Sequence, residues 1–285
     1  MYSLPQFSKD AQWKPLQGGS INEVYRITDH GESFVVKVAQ SDKHPGMFTA
    51  ESAGLHCLRS YLNVPSVHSV QQHDGRVFLI LEDLGNGMSM DNDETFFASL
   101  GEQLARMHSV QQHRYGLNHD NYIGSLTQSN NQHDNWSSFF QFERLNPLVK
   151  HAFDRGLLTK KHLARFDELY RHLPHLFPDE PPSMLHGDLW SGNVHCGENG
   201  KAYFIDPAVY VGHREMDIAM TSLFGGFSQA FYNAYNSVYP LEQGWQYRVP
   251  LCNLYPNLVH LILFGVAYLS GIEDGLKVVK YNMSR

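Results

Sequence analysis

The chain has 285 residues, 42% of them hydrophobic and 18% charged. At about 150 residues per domain that length suggests two domains or lobes, with a core that needs neither disulfides nor a structural metal. Its 22 Lys and Arg against 29 Asp and Glu give a net charge of −7, which argues against a dedicated nucleic-acid binder, and the apolar content excludes disorder. The only cysteines, Cys57, Cys196 and Cys252, form no CxxC, which excludes a disulfide framework and suits a reducing compartment.

The N-terminus has no apolar stretch of the signal-peptide kind. Residues 16–20 and 24–27 read as two strands around a small-residue turn, and the β-branched run at 33–39 reads as a third. Apolar residues at helical spacing mark 47–62, which stops before Pro65. A hairpin follows, 68–73 and 76–82 around Asp74-Gly75. The Gly-rich segment 83–87 reads as a hinge. Residues 93–108 carry an apolar helical stripe with Asp93 as its cap. The polar stretch 109–135 reads as a long loop, and such loops are often functional. Helical periods return at 136–155 and 159–173, a short strand-loop-strand covers 184–206, and further helices run from Glu215 onward. The most apolar segment, 258–272, is interrupted by His260, Gly265 and Ser270. It reads as a core helix and not as a membrane span, so a cytoplasmic location without membrane or nucleic-acid partners is expected. Strands followed by helices give an α+β fold, with an N-terminal nucleotide-binding lobe over 1–84 and a C-terminal catalytic and substrate-binding lobe over 85–285.

The densest chemical signal is Leu185-His186-Gly187-Asp188-Leu189-Trp190-Ser191-Gly192-Asn193, followed by Tyr203-Phe204-Ile205-Asp206-Pro207. An Asp, an Asn five positions later and an Asp closing a second apolar strand form the layout of a kinase catalytic loop. There the first Asp accepts the substrate hydroxyl proton, and the Asn and second Asp hold Mg²⁺. A carboxylate and an amide oxygen supply the partial shell Mg²⁺ prefers beside nucleotide phosphates. Read singly, these residues are ordinary turn formers; other elements lying where a kinase needs them give the set its force. Lys37 sits among apolar residues of the third strand, where a cation is costly unless paired, and Glu51 in the following helix is its expected partner. Gly18, Gly19 and Ser20 can bring backbone amides to phosphate oxygens. Glu82, Asp83 and Leu84 lie where an adenine would meet backbone groups. Asp217, at a helix start, reads as a brace for the catalytic loop. Gly187 stands where protein kinases have Arg, and Asp206-Pro207-Ala208 replaces their DFG, so a small-substrate kinase without an activation-loop switch is expected.

HGDLWSGN followed by FIDPAVYVGHREMDIAM resembles the fructosamine/ketosamine kinase family, in the aminoglycoside-phosphotransferase-like branch of the protein-kinase-like fold. Leu189-Trp190 is the discriminating pair, and residues 45–48, 104–108, 115–117, 121–124 and Trp136 with Phe139-Phe140 agree. The resemblance implies a bilobal fold with a small antiparallel-sheet lobe and a larger helical lobe. It also implies ATP-dependent phosphorylation of the 3-hydroxyl of ketosamines, free or on glycated protein side chains, which makes the adduct labile. By position, Asp188 is then the proton acceptor, Asn193 and Asp206 bind Mg²⁺, Lys37 and Glu51 order the ATP phosphates, and residues 82–84 form the adenine hinge. Trp190 either stacks on the sugar or packs as a core residue holding the loop. Residues 126–130 depart from relatives, which often carry a Pro after Gln128. The alternatives are an aminoglycoside, choline or sugar-alcohol kinase, a catalytically dead binding module, and a metal hydrolase built on His186, Asp188, His195 and Cys196. The last suffers because adjacent strand residues face opposite ways.

Overall fold

Residues 2, 4–16, 22–87 and 93–278 are described by the computed structural model. Strands β1 (Gln12–Pro15), β2 (Glu23–Asp29), β3 (Glu32–Gln40), β4 (Val67–His73) and β5 (Arg76–Glu82) form one antiparallel sheet in the order β1-β2-β3-β5-β4, and helix α1 (Met47–Leu58) follows β3. Beyond it the chain is mainly helical. It holds α2 (Glu94–His108), the hairpin β6 (Asn121–Ile123) and β7 (Leu126–Gln128), α3 (Trp136–Phe139), α4 (Asn146–Asp154) and α5 (Lys160–His172). The strands β8 (Ser183–Leu185), β9 (Val194–Cys196), β10 (Ala202–Phe204) and β11 (Tyr210–Gly212) frame the catalytic segment. Then come α6 (Glu215–Leu223), α7 (Gln229–Val238), α8 (Trp245–Cys252), α9 (Leu254–Phe264) and α10 (Leu269–Gly275). The result is an α+β fold with a sheet lobe and a helical lobe.

The apolar patterning explains the layers. Alternating residues of β2, β3 and β5 bury Ile27, Val36, Val38, Phe78 and Ile80 on one face, while Leu79 and Leu81 on the other pack with Met47, Phe48 and Leu55 of α1. In the helical lobe α2 packs on α7, burying Leu100 and Leu104 with Phe231 and Tyr235. Asp93 caps α2, its carboxylate accepting from the Phe96 amide at 3.0 Å.

Three expectations are corrected, and of the strand expected over 16–20 all but Leu16 lies outside the described residues. The strand described ahead of β2 is Gln12–Pro15, with one further pairing bond from the Leu16 amide to the Val24 carbonyl. Trp13 anchors it by packing on Tyr2, Phe7 and Tyr25, and such cross-strand aromatic contact outweighs the weak strand propensity of its neighbours. The polar stretch 109–135 contains the β6–β7 hairpin, because Asn121, Gln128 and Asn130 satisfy one another: the Gln128 and Asn130 amides both donate to the Asn121 oxygen, at 2.7 and 2.9 Å. The helix expected over 136–155 is interrupted by a π-helical turn, Phe140–Leu145. That turn directs fully buried Arg144 between the rings of Phe139 and Tyr210, 4.5 and 4.0 Å from their centroids. The apolar segment near residue 260 is core on one side only. Leu258, Leu261 and Ile262 are buried, but the helix stops at Gly265, and Phe264 and Val266 are 50% and 68% exposed.

Behind the catalytic segment lies a buried polar layer. Arg214 forms a two-point pair with Glu180 and Arg248 another with Glu215. His213, 1% exposed, sits among these charges against the rings of Trp136 and Phe177. Burial pushes its imidazole down to about 4; Glu180 opposes the shift, and the positive charges of Arg248 and Arg214 add to it. The folded protein thus keeps His213 neutral where an unfolded chain, titrating near pH ~6.5, would protonate it. The associated stability is fully present above pH ~6.5 and is lost as the pH falls toward 4. Denaturant unfolding is expected to show a stability about 2 kcal/mol lower at pH ~5 than at pH ~7 from this group, and His213→Asn should flatten that part of the profile.

Candidate active site

The segment Gly187–Asn193 leaves β8 and returns through a short 3-10 turn, Ser191–Asn193, into β9. Asp217, near the start of α6, holds its entry: its carboxylate accepts from the amides of His186 at 2.7 Å and Gly187 at 2.9 Å. A third contact of Asp217 is the His108 ring, 3.2 Å away and itself bonded to Tyr235. His186 donates from Nε2 to the Ile205 carbonyl at 3.0 Å, tying the loop to the residues that follow β10 and lead into Asp206. Burial pushes the His186 imidazole down, so it holds this contact as a neutral ring. The expected bracing role of Asp217 is thus visible atom by atom.

At Gly187, where protein kinases have Arg, the backbone takes a left-handed φ of 83°, and a Cβ there would lie 2.1 Å from the Ala208 carbonyl oxygen. The two strands of the site therefore pass too closely for any side chain. Gly187→Ala is expected to lower stability by roughly 2 kcal/mol or more. It should also reduce kcat by about 10²-fold, because misplacing a reacting group by an ångström has that effect; thermal unfolding and steady-state kinetics would report both. A second close approach lies at Gly192, where the Trp190 ring covers the position a Cβ would take, 2.2 Å from the nearest ring carbon.

Asp188 and Asn193 meet directly. The Asn193 amide nitrogen donates to the Asp188 carboxylate and to its backbone carbonyl, both at 2.8 Å. That engagement leaves the amide oxygen of Asn193 as its available donor to a cation. Burial raises the Asp188 carboxyl to about 7; the Asn193 hydrogen bond and Lys37 pull it down, and the charges of Asp206 and Asp217 push it up. Asp206 adopts a left-handed φ of 55°, uncommon for a non-glycine residue, and its side chain remains 46% exposed toward the cleft. Lys37, on the central strand β3 and 7% exposed, joins the lobes: its ammonium lies 2.6 Å from Glu51 Oε1 on α1 and 2.6 Å from Asp206 Oδ1. Burial alone would lower the Lys37 pKa, but the two carboxylates outweigh it and hold the ammonium above the usual lysine range. Glu51 is shifted upward by burial, with Lys37 opposing.

Lys37, Glu51, Asp188, Trp190, Asn193 and Asp206 line one cleft of about 580 Å³ between the lobes. Glu82, Asp83 and Leu84 do not line it; they form the crossover at the end of β5. There the Glu82 carboxylate accepts from the Ser66 amide, and Asp83 is engaged by Arg26, Ser33 and the Gly85 amide. The Leu84 carbonyl accepts from the Glu198 amide at 3.1 Å. The side chains of Glu82 and Asp83 are therefore occupied by the protein, and Asp83 clamps the β2–β3 hairpin to the crossover. Gly18, Gly19 and Ser20 lie outside the described residues. On β9, Cys196 is buried in the lobe core while His195 faces the crossover, so they do not converge with His186 and Asp188 as metal ligands.

Trp190 is half-buried in the cleft wall, edge-on to Phe224 with centroids 5.5 Å apart. His260, Phe264 and Tyr268 extend this wall, and the sequence reading missed all three. Their spacing of four was the available signal, since it places a His and two aromatics on one side of a helical path. The His260 Nδ1 bonds to the Pro256 carbonyl at 2.7 Å, and burial pushes its imidazole down, so a neutral ring faces the cleft. Tyr122 and Gly124 of the β6–β7 hairpin close the opposite side, and the Tyr122 hydroxyl donates to the Pro45 carbonyl at 2.9 Å ahead of α1.

The fructosamine kinase family profile matches residues 4–281. The chain is 36% identical over 267 residues to a protein of Enterococcus faecium named as a probable ketoamine kinase, across 92% of this chain and 93% of that one. A crystal structure from Thermobifida fusca, named as a "putative fructosamine-3-kinase", superposes with a TM-score of 0.85 at 34% identity, covering 95% of this chain and 94% of that one. The aminoglycoside phosphotransferase APH(4)-Ia, at 18% identity and a TM-score of 0.62 over 94% and 93% of the two chains, shares the bilobal protein-kinase-like fold alone. The match along nearly the whole chain agrees with the HGDLWSGN site just described: the chain belongs to the fructosamine kinase family.

Proposed function

We propose that this ATP-dependent kinase phosphorylates the 3-hydroxyl of ketosamines, with Asp188 as proton acceptor. The observation that carries the reading is the convergence of Asp188, Asn193, Asp206 and the Lys37–Glu51 pair in one interlobe cleft, beside the aromatic wall that Trp190 begins. In the transfer, the sugar oxygen forms a bond to the γ-phosphorus as the bond from that phosphorus to the ADP oxygen breaks, and the hydroxyl proton passes to the Asp188 carboxylate. Asn193 orients that carboxylate. Lys37, held charged by Glu51 and Asp206, orders the ATP phosphates. Positioning and charge neutralisation supply most of the acceleration in such reactions.

The donor set fits Mg²⁺. Asp206 offers a partly exposed carboxylate and Asn193 an amide oxygen, both hard ligands, and Mg²⁺ completes its shell with phosphates and water. When bound there, the ion neutralises charge on the transferring phosphoryl group. Trp190 is assigned to the sugar face, and the backbone of residues 82–84, with Gly18, Gly19 and Ser20, to the nucleotide. In this assignment residues 1–84 are the nucleotide-binding lobe and residues 85–285 the catalytic and substrate-binding lobe. Acceptors are ketosamines on small amines or on glycated protein side chains, and a labile 3-phosphate would regenerate the amine. A cytoplasmic location accords with three cysteines in the thiol state. Among the described residues no helix is long and apolar enough to cross a membrane.

ADP release should be measured with fructosyl-lysine, ribulosyl-lysine and an aminoglycoside as acceptors, and the phosphorylated carbon located by NMR. Turnover of a ketosamine with phosphate on carbon 3 is the expected result; turnover of the aminoglycoside alone would reject the reading.

A further inference from the structure

The cleft does not end at its aromatic wall. Past Leu263 and Phe264 it opens into a second cavity of about 370 Å³, and Asn22, Leu263 and Phe264 line both. The inner cleft carries three carboxylates, Asp188, Asp206 and Glu51, against one cation, Lys37. The outer cavity is different. Lys43, Arg76 and His44 line it, with Glu23 as its one acid. The Glu23 carboxylate accepts from the hydroxyls of Tyr2 at 2.8 Å and Tyr25 at 2.6 Å, both at Oε2, so the lining sets the two permanent cations, Lys43 and Arg76, against one anion. Arg76 is held over the Tyr2 ring, 4.5 Å from its centroid. Lys43 stands exposed in the turn after β3 and makes no hydrogen bond or ion pair among the described residues. In a chain of net charge −7, this is a cationic mouth on an acidic cleft.

We propose that this mouth is an acceptor subsite for a carboxylate carried by the amine portion of the substrate. The inference rests on the ketosamine reading above. With the sugar hydroxyl at Asp188, the amine portion leads away from the catalytic acids, and the path past Phe264 brings it to Lys43 and Arg76. A carboxylate there is repelled from the inner cleft and attracted at its mouth, so the two lobes select both the direction of the substrate and the charge of its tail. The carboxylate has two sources, the α-carboxylate of a free amino-acid adduct or an acidic side chain next to a glycated lysine in a peptide.

The test compares acetylated fructosyl-lysine bearing a free carboxylate, its carboxamide, and an acetylated fructosyl-lysyl-glutamate amidated at its C-terminus, whose only carboxylate is the glutamate side chain. The wild-type KM for the free carboxylate is expected to be about five-fold below that for the carboxamide, the effect of one partly exposed charge pair. Lys43→Gln should bring this KM ratio toward one, and Lys43→Glu should invert it. If the glutamate peptide shares the advantage, the subsite accepts side-chain carboxylates; if it does not, the subsite is specific for the α-carboxylate. Equal KM values in the wild type, or a ratio that survives in Lys43→Glu, would overturn the subsite while leaving the ketosamine reading intact. Failure of all three compounds to turn over would overturn that reading and the subsite with it.

Discussion

Replacing Asp188 by Asn is expected to lower kcat by about 10²–10⁴-fold, the range a positioned general base contributes, while nucleotide affinity changes little. The physical case is local. Asp188 is the one carboxylate of the catalytic loop that is free of a cationic partner, and its pKa of about 7 is that of a group able to accept a proton near neutrality. Asn193 holds one carboxylate oxygen at 2.8 Å. An amide at position 188 can keep that contact through its own oxygen, so the loop should stay folded. Single-turnover phosphate transfer and nucleotide titration separate the two effects. A variant with undiminished transfer would remove Asp188 from the chemistry.

Lys37→Met is expected to act on both stability and catalysis. The ammonium bridges two carboxylates from opposite lobes at 2.6 Å each. Removing it leaves Glu51 enclosed without its counter-ion, and breaking such a buried pair costs about 3–5 kcal/mol. Asp206 can turn to water because its side chain is 46% exposed, and Glu51, already shifted upward by burial, can protonate. Both relaxations lower the stability cost and displace the groups assigned to the phosphates and metal. The KM for ATP should therefore rise and kcat fall, together by about 10²-fold or more in kcat/KM, which corresponds to roughly 2.7 kcal/mol. A change confined to thermal stability, with kinetics intact, would make Lys37 a structural bridge only.

The glycine at 187 shows how much one residue type can say. As a departure from the kinase pattern it signalled the missing anchor for a regulated loop. Its backbone shows a further reason for glycine, a contact with Ala208 too tight for a Cβ. Asp83 illustrates the opposite case. Its place after a strand suggested a hinge, yet its carboxylate is spent on Arg26, Ser33 and the Gly85 amide, and residue identity alone does not reveal which partner claims a side chain.

What the sequence by itself determined is the order of chemistry along the chain. The Lys37–Glu51 pair, the Asp188 and Asn193 spacing and the strand-end Asp206 are readable because each unit is local, its geometry set by a strand, a helix or a turn of a few residues. The tertiary structure alone decided which residues share a cleft across long separations. His260 and Phe264 reach the site because α9 buries one side against the helical core and leaves the other facing the sheet lobe, and Tyr268 joins them from the turn beyond Gly265. An apolar helical period reports that a face is buried, but not what the remaining face meets, because that depends on packing between elements far apart in sequence.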